Sequence, residues 1–175
     1  MALPGPDDDI TCVTEDGEET VKAYKFVAKS DTIKKLIEEA GADDPVPLPG
    51  IPTKARFEKV LVYCEYLVTL DEKTPPETPP KINKPLSSVI MSEITDQWNA
   101  DYVKDLDQDT LFALVMDFNY LDIKSGLEMS CAYVTSHIKN KDVKEIRQYF
   151  KIENDFSPEE EAQAHAEAEW VEKNM

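Results

Sequence analysis

Residues 10–23, ITCVTEDGEETVKA, decide the kind of fold. Ile10, Cys12 and Thr14 alternate, Asp16-Gly17 follows, and Val21 and Ala23 alternate again. Period-two patterning on both sides of an Asp-Gly step predicts two antiparallel strands joined by a tight turn. Downstream the period changes. Ser30 caps a short predicted helix in which Ile33, Leu36, Ile37 and Ala40 repeat at helical spacing, and Gly41 ends it. Pro45-Val46-Pro47-Leu48-Pro49 carries too many prolines for a central strand, because proline cannot donate to a ladder, so it belongs at a sheet edge. From Thr53, Phe57, Val60, Leu61, Cys64, Leu67 and Val68 form one apolar stripe. Strands first and helices after predict a small mixed unit of sheet and helix.

Residues 71–90 break this patterning. Four prolines lie between Thr74 and Pro80, with Pro85 beyond them, and predict a long flexible loop of polyproline II character running as far as 97. Regular structure resumes around Trp98 and is helical from there. Asp107 or Asp109 caps a helix through Tyr120, a second runs from Lys124 to Ile138, and a third follows an Asp142 cap to Phe150. Ser157-Pro158-Glu159-Glu160 opens the last, with a capping box and proline at the first helical position. Residues 1–9, with two prolines, a glycine and three aspartates, read as a disordered start.

Two of these helices carry more apolar surface than one face needs. Leu111, Leu114, Val115, Phe118 and Leu121 make one stripe, and Phe112, Met116 and Asn119 a second. In the next helix Leu127, Cys131, Val134 and Ile138 fall within a narrow arc, while Met129, Tyr133 and His137 cover another. One stripe buries a helix on its own domain, and two mean either a central helix or a face shared with a partner. Spacing leaves that choice open. The last helix is mostly alanine and glutamate, with Ala162, Ala166 and Trp170 on one face. It either docks as an ordinary end helix or orders on a partner that covers Trp170.

The composition narrows the function classes. The 175 residues are 41% hydrophobic and carry a net charge of −17, a surface that repels phosphate backbones and anionic membrane. From Glu153 to Met175 eight acidic residues stand against Lys173 alone. Cys12, Cys64 and Cys131 are odd in number and widely spaced, which suits reduced thiols better than disulfides or zinc. Five glycines, at 5, 17, 41, 50 and 126, permit no GxGxxG and no phosphate-binding loop, and there is no GxSxG, HExxH or CxxC. Neither His137 nor His165 sits in a paired motif. The expectation is a protein without catalytic residues, metal or cofactor, in the cytoplasm and nucleus, with neither nucleic acid nor membrane as partner.

Specific strings add to this reading. Residues 107–124, DQDTLFALVMDFNYLDIK, with KEIRQYFKIENDF at 144–156 and EEEAQAHAEAEW at 159–170, resemble the Skp adaptor family of S-phase kinase-associated proteins. DDPVPLPGI at 43–51, TIKKLIEEAG at 32–41 and the proline-rich insertion before Trp98 are similar to the family's N-terminal part. The resemblance implies an α+β fold, with a BTB/POZ-type domain over 10–138 and a C-terminal helical extension over 139–175. It implies a non-catalytic adaptor of an SCF (Skp–cullin–F-box) ubiquitin ligase, which bridges F-box substrate receptors to a cullin for ubiquitin-dependent protein catabolism. Carried over by position, the F-box-binding residues are Leu111, Phe112, Val115, Leu127, Cys131, Val134, Ile138, Phe150, Ile152 and Trp170, and the cullin-binding pair is Asn119 and Tyr120. A weak homodimer through the F-box groove is implied when no partner is present.

The match is that of a divergent member. Where the family reads Thr-Pro-Glu-Glu before its isoleucine–arginine pair, this chain has Asp142-Val143-Lys144-Glu145, and alanines stand at 164, 166 and 168. An elongin-C-type adaptor is the nearest alternative, but it lacks a helical extension such as 142–173. A structural subunit of the kinetochore type is another.

Overall fold

The computed structural model describes residues 3–174, leaving Met1, Ala2 and Met175 outside, together with the side chains of His165, Ala168, Glu169, Glu172 and Asn174. The chain divides into two compact units, Met1–His137 and Ile138–Met175.

In the first unit the predicted hairpin forms. β1 (Asp9–Thr14) pairs antiparallel with β2 (Glu19–Ala23), and Gly17 supplies the left-handed turn position at φ 80°. The register sets Cys12 opposite Thr20 and Thr11 opposite Val21. Alternation then buries Cys12 and Thr20 on one face and leaves Val21 exposed on the other. The inward side of β2 therefore carries a threonine where the apolar pattern pointed to Val21. β3 (Val46–Leu48) lies parallel to β1 at the other edge, in the order β2-β1-β3, where Pro47 needs no ladder partner. A parallel pair requires a crossover, and α1 (Tyr24–Val27) and α2 (Asp31–Ala40) supply it. Ser30 does two jobs there. Its hydroxyl accepts from the Ile33 N–H at 3.1 Å, capping α2, and donates to the Leu121 carbonyl at 2.6 Å.

The start of the chain, where disorder is expected over 1–9, has attachments in its described part. The Lys25 N–H donates to the Pro6 carbonyl at 2.9 Å and the Tyr24 N–H to the Asp8 carbonyl at 2.8 Å. Both bonds tie residues 6–8 to α1. Met1 and Ala2 of that segment lie outside the described residues.

α3 (Lys54–Asp71) buries Tyr63, Tyr66 and Leu70 in addition to the predicted stripe, so it is a central helix with apolar contacts on more than one face. Two further helices pack with it. The first, α5 (Gln97–Lys104), follows a four-residue helix, α4 (Met91–Ile94), and docks on α3 through aromatic rings. Trp98 stacks between Tyr66, at 4.0 Å, and Tyr102, at 5.2 Å. Asp96 fixes the joint, accepting the Asn99 N–H at 2.8 Å and the Tyr66 hydroxyl at 2.5 Å. The second, α6 (Gln108–Tyr120), is capped by Asp107 and joins the same core through Phe118, whose ring lies 5.1 Å from that of Tyr63. Arg56 on α3 donates to both carboxylate oxygens of Asp117 and to the Ala113 carbonyl. The Asp117 side chain has no exposure, and burial pushes its carboxyl above the usual carboxylate range while the guanidinium pulls the other way.

Among the described residues between α3 and α5 there is no strand, and α4 is the one regular piece. The loop is not wholly outside the fold, as its prolines suggest. Ile82 is buried in the core, Leu86 packs against it, and the Glu77 N–H donates to the Leu70 carbonyl at 3.0 Å. A single aliphatic side chain among prolines has no period to reveal it.

α7 (Lys124–Ile138) closes the first unit and enters the second at its last residue. In the second unit, Asp142 and Glu145 form a capping box on α8 (Val143–Phe150), and Lys151 ends it in the left-handed region at φ 54°. Ser157 and Glu160 exchange hydrogen bonds at the start of α9 (Pro158–Asn174). Among the described residues neither α8 nor α9 has a fully buried side chain.

Candidate functional site

α7 has two faces of different character. Gly126, Met129, Ser130, Ala132 and Ser136 are buried. A methyl group at Gly126 would lie 2.6 Å from the Phe118 ring, so only glycine allows α7 to come this close to α6. The buried hydroxyls are satisfied within the helix, Ser130 donating to the Gly126 carbonyl at 2.9 Å and Ser136 to that of Tyr133 at 2.7 Å. Met129 and small side chains thus fill the buried face with the half-buried Tyr133 beside them, and a second set of apolar side chains lies on the opposite side, of which Leu127 still touches the core. Leu127, Val134 and Ile138 are half-buried there and Cys131 is exposed. Lys84, reaching from the proline-rich loop, pairs with Glu128 at 2.8 Å on the margin of this face.

The three thiols differ accordingly. Burial pushes Cys12 and Cys64 up to about 12, which leaves them protonated and inert at neutral pH. Partial burial also raises Cys131, with Lys84 opposing it.

On α6 the sequence-derived set divides. Phe112 and Val115 are half-buried, and Met116, at 64% exposure, was not among the expected contact residues. Leu111 lies deeper than the rest of that set. It is 1% exposed because it shares the inward face with Leu114 and Phe118, three and seven residues on. Asn119 is exposed at the end of the helix. Tyr120 is half-buried, its ring so close to the Gly50 backbone that an added Cβ would lie 2.4 Å from it. Its carbonyl accepts the Thr32 hydroxyl at 2.8 Å.

The second unit has its own apolar surface. Ile152 and Trp170 are well exposed and Phe150 is half-buried. A groove of about 960 Å³ within this unit is lined by Val143, Ile146, Ile152 and Phe156 among others. Arg147 crosses it, with its guanidinium 5.2 Å from the Phe156 ring centre and 3.4 Å from the Glu161 carboxylate. Val143, Ile146 and Phe156 were missed by the sequence reading. Val143, Ile146 and Phe150 stand at i, i+3 and i+7, a signal that would have placed the first two on one face. The departure at 142–145 keeps the helix start intact, since aspartate caps it and Glu145 still completes the box.

The arrangement offers apolar faces with isolated charges and no convergent reactive groups among the described residues. Those residues contain no group of three or more histidine, cysteine or acidic side chains placed to hold a metal ion. No described helix is long and apolar enough to cross a membrane. His137 directs Nδ1 at the Tyr133 carbonyl, 2.8 Å away, and its ring meets that of Tyr133 edge-on.

Known proteins resemble the chain over most of its length. The family description "Skp1 family, tetramerisation domain" matches residues 8–69, and "Skp1 family, dimerisation domain" matches 127–171. An S-phase kinase-associated protein 1 homolog of Tetrahymena thermophila is 41% identical over 156 residues, covering 89% of each chain. The SKP1-like protein 1 of Oryza sativa is 37% identical, covering 98% of this chain and 99% of its own. The SCF ubiquitin ligase complex protein SKP1a of Dictyostelium discoideum is 41% identical, covering 85% and 86%.

Proposed function

The chain belongs to the Skp1 family, and on that premise we propose that it is the adaptor of an SCF ubiquitin ligase, joining F-box proteins to a cullin. Its first unit is of the BTB/POZ type. The role is non-catalytic: the adaptor holds a substrate receptor at a fixed place on the scaffold, and ubiquitin transfer belongs to other subunits. It works in the cytoplasm and nucleus.

One observation carries the reading at the level of residues. α7 turns mostly small side chains to the core and carries Leu127, Cys131 and Val134 on the opposite face, which its own unit covers only in part. An amphipathic helix of an F-box protein suits such a face, because apolar anchors at helical spacing lie in a shallow groove. Phe112 and Val115 extend the contact on α6. In the second unit Ile138, Phe150, Ile152 and Trp170 are the contact residues. Leu111 acts from beneath, as a core residue that supports α6. Asn119 and Tyr120 face the cullin, with Gly50 and Thr32 holding Tyr120 in place. Without an F-box protein, the α7 face pairs weakly with a second copy of the chain.

Co-purification tests this directly. The tagged chain, recovered from cells, should bring down a cullin together with several different F-box proteins. Recovery with neither, and with a fixed set of structural proteins instead, would remove the adaptor reading.

A further inference from the structure

The proline-rich loop reaches the margin of the proposed α7 face through Lys84, and upstream of that contact its chemistry is specific in another way. Residues 73–81 read KTPPETPPK, with two Thr-Pro steps, and Thr78 is followed three residues on by Lys81. We propose that Thr78 is a phosphorylation site for a proline-directed serine/threonine kinase.

Kinases of this type take an extended segment, and extension here comes at little cost. Proline restricts the residue before it to extended backbone, so Thr78 is biased to that conformation by Pro79. Thr78 and Lys81 are exposed. Among the described residues, no backbone group from Thr78 to Pro85 enters a hydrogen bond, so no ladder or helix opposes entry into a kinase cleft. Ile82 and the Lys84–Glu128 pair are the attachments that must yield. With attachments this few, the segment opens locally while the rest of the fold stays closed.

Thr74 is the poorer acceptor for two reasons. Its segment is folded back, with the Glu77 N–H on the Leu70 carbonyl and Lys73 paired with Glu77 at 2.8 Å. It also has Glu77 where Thr78 has Lys81. Charge at such fixed offsets is a common device of kinase–substrate selection.

In the reaction the Thr78 Oγ1 attacks the γ-phosphorus of ATP. The new P–O bond forms as the bond to the β-phosphate oxygen breaks, and ADP leaves with that electron pair. The hydroxyl proton passes to the kinase's catalytic carboxylate. The product carries close to two further negative charges beside Glu77.

The test uses the full chain with magnesium ATP and a proline-directed kinase, against a kinase selective for upstream basic residues. Intact mass and fragment sequencing should give one phosphoryl group, on Thr78, with the first enzyme alone. The rate should lie within about a hundredfold of that for a free peptide spanning 71–85, because Ile82 must leave the core for the segment to open. Thr78→Ala and Pro79→Ala should each slow it at least about tenfold, roughly 1.4 kcal/mol, while Thr74→Ala leaves it unchanged. Phosphate elsewhere in the Thr78→Ala chain at the original rate would overturn the assignment. A peptide that is modified while the folded chain is refused would overturn it too, as would refusal of both.

Discussion

The first unit and the second hold their helices in different ways. In the first, α3, α5, α6 and α7 meet in one core, where Phe118 touches the Tyr63 ring and leaves room at Gly126 for glycine alone. In the second, α8 and α9 have caps at their starts but no fully buried side chain among the described residues. Most helical stability in proteins comes from packing an apolar face, and short helices in water are marginal without it. The first unit is therefore a folded platform by itself. The second keeps its apolar side chains available, which suits a surface completed by a partner.

That contrast can be broken most readily at the core. Phe118→Ala should cost about 4 kcal/mol, the range for large aromatic truncations in a packed interior. Thermal unfolding followed by near-ultraviolet circular dichroism reads it. A loss below about 1 kcal/mol would mean that the first unit is not tightly packed around this ring.

The thiols give the next largest effect. Iodoacetamide at neutral pH should label Cys131 at least about a hundredfold faster than Cys12 or Cys64, because buried thiols have little thiolate to react. Bound F-box protein should then protect Cys131. Equal labelling of all three in the native chain would contradict the burial described for α3 and β1.

Trp170 tests the second unit. Its replacement by alanine should weaken F-box binding about thirtyfold, near 2 kcal/mol, as for an interface hot spot. The melting temperature of the free chain should scarcely move. Unchanged affinity in calorimetric titration would remove Trp170 from the contact, and a large drop in melting temperature would make α9 part of the resting fold.

The smallest effect is at the cap. Asp142→Ala should lower the stability of α8 by about 1 kcal/mol, visible as faster amide exchange in 143–147 with no change in the first unit. A change spread over both units would show that they unfold as one.

Local signals in the sequence were readable where a single element carries them. The Asp16-Gly17 turn, the Ser30, Asp107 and Asp142 caps and the span of α7 all lie where spacing and cap chemistry put them. Facing was harder. Val21 points outward because pairing with β1, not its own apolarity, sets which side of β2 is inside. Leu111 and Cys131 both sit in apolar stripes, and only the packing of Gly126 on Phe118 determines which stripe is covered. Ile82 could not be read at all, since its burial depends on where the loop crosses the core. The resemblance supplied the proposed contact residues, and periodicity alone left them divided between core and partner.

The central claim is that one chain bridges two proteins through separate surfaces. Purified chain, an F-box protein and the N-terminal part of a cullin should form a ternary complex on size-exclusion chromatography, and the latter two should not associate without it. The double variant Asn119→Lys, Tyr120→Lys should lose the cullin while keeping the F-box protein within about threefold, less than about 1 kcal/mol. Association of the cullin and F-box protein in the absence of the chain, or loss of both partners together with an unchanged melting temperature, would contradict the account.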